Sequence, residues 1–62
     1  MKVRDILRLL ADDGWVETSQ KGSHRQFRHP TKPGRVTVPC HGMADDVRPG
    51  TLNSILRQAG LK

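Results

Sequence analysis

Val3, Ile6, Leu7 and Leu10 stand at i, i+3, i+4 and i+7, with Arg4, Asp5 and Arg8 on the positions between them. This spacing lays one apolar stripe along a helix, and Gly14, just after Asp13, suits the left-handed residue that closes one. The same period returns at Leu52, Ile55, Leu56 and Ala59, with Pro49-Gly50-Thr51 ahead of it and Gly60 behind. It predicts a second helix, entered on a proline and stopped by a glycine. Between the two helices the period is lost. Trp15 to Gln20, His24 to Arg28 and Arg35 to Val38 read as short strands, parted by Lys21-Gly22-Ser23 and by Pro30-Thr31-Lys32-Pro33-Gly34, which is turn chemistry in both places. A polar connection, Cys40 to Arg48, joins the third strand to the second helix.

Connections this short predict an α+β fold of order α-β-β-β-α, in which a three-stranded antiparallel meander carries both helices on one face. That is the economical way to bury two apolar stripes. A chain of 62 residues buries only about 60% of the surface it exposes when unfolded. One domain over residues 1–62 is therefore expected, with a single small core that takes Phe27 and Trp15.

Side chains alternate across a strand. With Phe27 turned toward the helices, His24, Gln26 and Arg28 face the other way; with Val36 and Val38 inward, Arg35 and Thr37 join them. A histidine and two arginines are thus expected on one open surface, provided no bulge reverses the parity. Strand one is ambiguous, because Trp15 and Val16 are both apolar and regular geometry turns only one of them inward.

Eleven Lys and Arg against six Asp and Glu give a formal charge of +5, which makes a polyanion the first partner to consider. Cys40 is the only cysteine, so no internal disulfide staples the chain, and a reducing, cytoplasmic setting is expected. The Met-Lys-Val-Arg-Asp start and the charged segment after it contain no apolar run of signal-peptide or membrane-span length. Cys40 and His41 are adjacent rather than at zinc-site spacing, so no metal site is expected and Cys40 reads as a small buried or half-buried thiol at the end of strand three. Asp45-Asp46 reads as a solvated loop. On spacing alone an exposed strand histidine is more often a solvated surface residue than a catalytic one, and Arg28 and Arg35 are more often solvating charges than ligand contacts.

The segments Lys21-Gly22-Ser23-His24-Arg25, His29-Pro30, Val36-Thr37-Val38-Pro39 with His41-Gly42, and Pro49-Gly50-Thr51-Leu52 with Ile55-Leu56, in that order and at that spacing, resemble the HicA toxins of bacterial and archaeal toxin-antitoxin pairs. The match runs through nearly the whole chain, and Gly-Ser-His followed by Val-Pro-x-His-Gly and Pro-Gly-Thr is specific as a set. The resemblance implies a fold like a double-stranded-RNA-binding domain and an endoribonuclease that cuts mRNA without the ribosome; no cofactor is expected. It implies that His24, the histidine of the Gly-Ser-His element, is catalytic. It also implies a HicB-type antitoxin that covers the active surface and joins the toxin in repressing their operon, so that operator DNA is met only through that complex. Many relatives carry a second histidine or an aromatic directly after the catalytic one, where this chain has Arg25.

RNA can be cut without a metal because its own 2′-hydroxyl attacks the adjacent phosphorus. The protein then needs a base, an acid and positive charge. Histidine, with an ordinary pKa of about 6.5, serves as either base or acid near neutral pH. Lys21, Ser23, Arg25, Arg28 and Arg35 are candidate RNA contacts, and Arg48, with Gly50 and Thr51, lies where a helix N-terminus meets phosphate. His29 and His41 are the candidate proton-transfer partners of His24. Two rival readings are a non-catalytic RNA-binding module of the same fold and a small interaction or DNA-binding protein; the absence of a helix-turn-helix argues against direct reading of the major groove.

Overall fold

The apolar stripes become two helices, and both press on the same side of the sheet. The computed structural model describes residues 1–62 as α1 (Val3–Asp13), β1 (Val16–Lys21), β2 (His24–Arg28), β3 (Arg35–Pro39) and α2 (Pro49–Gln58). The expected order α-β-β-β-α is the observed one, and the sheet is an antiparallel meander of order β1-β2-β3. Ile6 and Leu10 of α1, Ile55 of α2 and Ala59 just beyond it join Trp15, Phe27, Val36 and Val38 in one buried cluster. Each large apolar side chain fully removed from water in this way stabilises the fold by about 1.5–3 kcal/mol.

Trp15 is 3% exposed and Val16 is 62% exposed, which settles the ambiguous start of strand one. Trp15 lies outside β1 because its backbone finishes α1. Gly14 sits at φ +102°, its N–H closes on the Ala11 carbonyl at 3.0 Å, and the Trp15 N–H closes on Leu10 at 2.9 Å. These two bonds make a Schellman stop. The chain therefore enters the sheet one residue later than the apolar pattern suggests, and β1 ends on Lys21 rather than Gln20.

The connection from Cys40 to Arg48 is tied to the start of the chain. The Val3 and Arg4 amides, two of the donors that a helix N-terminus leaves unpaired, bond to the carbonyls of Asp45 (2.9 Å) and Met43 (3.1 Å). The Val47 amide bonds back to the Met1 carbonyl at 2.9 Å, and Lys2 reaches both the Ala44 carbonyl and the Asp46 carboxylate. The Asp45-Asp46 pair is exposed, as expected, but its backbone caps α1.

A second tie lies at the opposite corner. The Lys32 ammonium bonds to the Asp13 carboxylate at 2.5 Å and to the Ala59 carbonyl at 3.0 Å, so it bridges the ends of α1 and α2. The Trp15 indole N–H also donates to Asp13, at 3.1 Å. The Asp13 carboxyl is held below its ordinary value of 3.8, chiefly by the bond from Lys32, against an opposing desolvation, with Trp15 helping. A carboxyl depressed in the folded state contributes stability that is full above its unfolded pKa and is lost as the pH falls through its folded one. Thermal unfolding followed from pH 6 down to pH 2 should therefore lose stability below about pH 4, and Asp13→Asn should flatten that acid limb.

Candidate active site

Gly22 and Ser23 are the two residues of the β1–β2 hairpin turn. Gly22 takes φ +59° while Ser23 keeps a negative φ, the pattern of a two-residue II′ turn, whose twist suits paired strands. Lys21 and His24 flank the turn as a directly opposed pair, and His24 is opposed on its other side by Pro39 of β3. The Cys40 amide bonds to the Ser23 carbonyl at 2.6 Å and fixes the turn against the end of β3. His24 is exposed at this end of the face that the helices leave uncovered.

The cross-strand register arranges that open face in three rows. Lys21, His24 and Pro39 form the first, Ser19, Gln26 and Thr37 the second, and Val16, Arg28 and Arg35 the third. Lys21 reaches the first row because β1 carries a bulge between Glu17 and Ser19. Without the extra residue, Val16 on the open face would put Lys21 under the helices. The strand containing the bulge is the one whose sides the sequence leaves open, so the parity of β2 and β3 holds as expected. The open face includes no acidic side chain, since Glu17 opposes Phe27 and so belongs to the helix side.

Arg25 is in a different place from the other candidate RNA contacts. It opposes Val38, hence faces the helices, and its guanidinium lies 3.4 Å from the Glu17 carboxylate. Its Nε is buried without an acceptor. Parity alone separates Arg25 from His24, so adjacency in sequence does not bring them together. Cys40 packs against the core nearby, half-buried; desolvation pushes its thiol up and outweighs the opposing pull of Arg25. At neutral pH the thiol keeps its proton and has little nucleophilic character.

His29 is likewise removed from the open face. Its Nε2 donates to the Asp13 carbonyl at 2.6 Å, its Nδ1 accepts from the Thr31 and Lys32 amides at 3.1 and 3.0 Å, and its ring meets Trp15 edge-on with centroids 5.1 Å apart. Both nitrogens are engaged within the α1–β1 corner, so His29, a candidate proton-transfer partner, is held there and not at the hairpin end beside His24. Its role is to hold the α1–β1 corner, and nothing in its local sequence shows this, because Asp13 is sixteen residues away.

His41 is exposed and follows Pro39, the β3 neighbour of His24, by two residues. It belongs to the wall of a depression of about 420 Å³ at the N-terminus of α2, shared with Asp45, Asp46, Arg48 and Thr51. His24 is not in that wall. Arg48 precedes the helix as its cap without a side-chain bond, and Pro49 brings no N–H. The Gly50 and Thr51 amides have no acceptor within the protein, which is the arrangement expected of a phosphate-accepting helix end.

The residues so arranged coincide with a known family. The model of the HicA toxin of bacterial toxin-antitoxin systems matches residues 3–61, from the first residue of α1 to beyond the end of α2. The chain belongs to the HicA toxin family. No curated protein matches it. Membership makes the chain a toxin of a toxin-antitoxin system, and the HicA match includes both the hairpin bearing His24 and the N-terminus of α2. None of its helices is long and apolar enough to cross a membrane.

Proposed function

We propose that this toxin is a metal-independent endoribonuclease that cuts mRNA with His24 and is neutralised by a HicB-type antitoxin. The observation that carries the reading is the open sheet face, where an exposed histidine stands beside Lys21 at the hairpin end, Arg28 and Arg35 lie further along the same face, and no acidic side chain shares it. A polyanion is drawn to such a face, and the group it meets beside the turn can take or give a proton at neutral pH.

In this mechanism the 2′-oxygen of one nucleotide loses its proton to a base and forms a bond to the adjacent phosphorus. The bond from phosphorus to the 5′-oxygen breaks, and that oxygen takes a proton from an acid. The products are a 2′,3′-cyclic phosphate and a 5′-hydroxyl. His24 supplies one of the two proton transfers; His41, at the same end of the sheet, or a water supplies the other. Lys21, opposite His24, stabilises the charge on the phosphoryl oxygens, with Ser23 in the turn as a further contact. Arg48 and the free amides of α2 hold a more distant stretch of backbone. The antitoxin silences the toxin by covering the open face, and operator DNA is met through the complex of the two.

The test is binding and cleavage of a long single-stranded RNA in one sample, in excess chelator. Cleavage is expected, with an affinity that falls steeply as salt rises because the contacts are to backbone phosphate. Tight binding with no cut products would instead make the chain a non-catalytic RNA-binding module.

A further inference from the structure

The third row of the open face carries two cations. Arg28 and Arg35 are directly opposed across β2 and β3, and like charges in that position destabilise a sheet. Three cations of the molecule are paired with carboxylates, Arg25 with Glu17, Lys32 with Asp13, and Lys2 with Asp46. Neither Arg28 nor Arg35 pairs with a carboxylate.

Both guanidinium groups are nevertheless held in place by neutral acceptors. Arg28 donates one N–H to the Gly34 carbonyl at 3.4 Å, and Arg35 donates one to the Gln26 side-chain oxygen at 2.8 Å. Each bond engages one terminal nitrogen and leaves most of the five donors of each group free. Two exposed guanidinium groups on directly opposed residues, each with donors to spare and no carboxylate partner, match the oxygens of a phosphate better than any neutral ligand.

The spacing from His24 gives the pair a position along the substrate. Arg28 lies four residues down β2 from His24, about 13 Å at roughly 3.3 Å per residue. The row between them, Ser19, Gln26 and Thr37, is uncharged. A strand stacked as in B-DNA advances about 3.4 Å per nucleotide, so 13 Å is about four nucleotides at that spacing and fewer of an extended strand. We infer that Arg28 and Arg35 clamp a single backbone phosphate of the RNA two to four nucleotides from the bond broken beside His24, so that the strand runs along β2. This rests on the ribonuclease reading above and adds to it a minimum substrate length and a side on which that length counts.

The experiment uses oligonucleotides with one ribonucleotide in an otherwise deoxy chain, lengthened one residue at a time on either side of the cleavable bond. For the parent protein, kcat/KM should rise about 10- to 100-fold in one step, on one side only, between the second and fourth added nucleotide. A neutral methylphosphonate at that phosphate should remove the step. In the double variant Arg28→Gln, Arg35→Gln the step should vanish, and the methylphosphonate should make no further difference. A smooth rise with length, a step on both sides, or a step kept by the folded double variant overturns the clamp while leaving the ribonuclease intact. A double variant that keeps the step and loses antitoxin affinity overturns it in favour of a protein partner's carboxylates. Failure of the parent to cut any length of either this series or all-ribose RNA overturns both readings together.

Discussion

Replacing His24 by alanine should lower RNA cleavage by about 10² to 10⁴, the usual contribution of a positioned acid or base, and should leave the fold intact. The two halves of this expectation have separate grounds. His24 is exposed, and its side chain belongs to neither the buried cluster nor any hydrogen bond of the molecule. Surface substitutions of that kind stay within about 0.5 kcal/mol of the parent, so thermal unfolding should be superimposable. The rate loss then reports chemistry rather than unfolding. Because the chain is a toxin, growth of cells expressing the variant is a second readout, and the arrest caused by the parent should be relieved. Alanine at His29 should behave in the opposite way: stability falls first, because the imidazole joins the Asp13 carbonyl to the Thr31 and Lys32 amides, and activity falls only with it.

The second large effect is expected at Gly14, and it acts through the fold. A Cβ added there would lie 2.7 Å from the His29 Nε2, on a backbone at φ +102°. A left-handed conformation costs a non-glycine residue about 1–2 kcal/mol. The imidazole cannot swing away freely, since both nitrogens are engaged, and each bond it gives up costs about 1 kcal/mol more. Gly14→Ala should therefore destabilise the chain by about 3 kcal/mol, a fall in Tm of at least about 12 °C for a domain this small. Gly22→Ala is the internal control. Gly22 also has a positive φ, +59°, but an added Cβ there meets nothing within 4 Å, so only the backbone cost should appear. The difference between the two variants measures the His29 contact, and equal losses would show that the contact carries no weight.

The helices were legible because their apolar positions repeat with the helical period and both end on glycine. Gly14 marks where α1 stops, although its apolar stripe ends at Leu10 and the three residues between, Ala11-Asp12-Asp13, bear no apolar mark. β3 extends to Pro39, which an edge strand accepts because a proline there forfeits no ladder bond it needs. In the site, the common face of His24, Arg28 and Arg35 followed from strand alternation alone. The place of Lys21 did not, because nothing in Val16-Glu17-Thr18-Ser19 announces the bulge that sets it. Charge makes Arg25 a candidate and proton-transfer chemistry makes His29 one, and the structure turns both away from the open face. Parity places the first, and a long-range bond to Asp13 holds the second.

The most direct test of the central claim is the chemistry of the cut ends. Purified protein would be incubated in excess chelator with an end-labelled single-stranded RNA, and the termini of the fragments identified, with a substrate carrying 2′-deoxyribose at the cleaved position run in parallel. Attack by the RNA's own 2′-hydroxyl, assisted by His24, predicts 2′,3′-cyclic phosphate and 5′-hydroxyl ends and no cutting at the deoxy position. Fragments ending in 3′-hydroxyl and 5′-phosphate, or cutting that persists at the deoxy position, would contradict it.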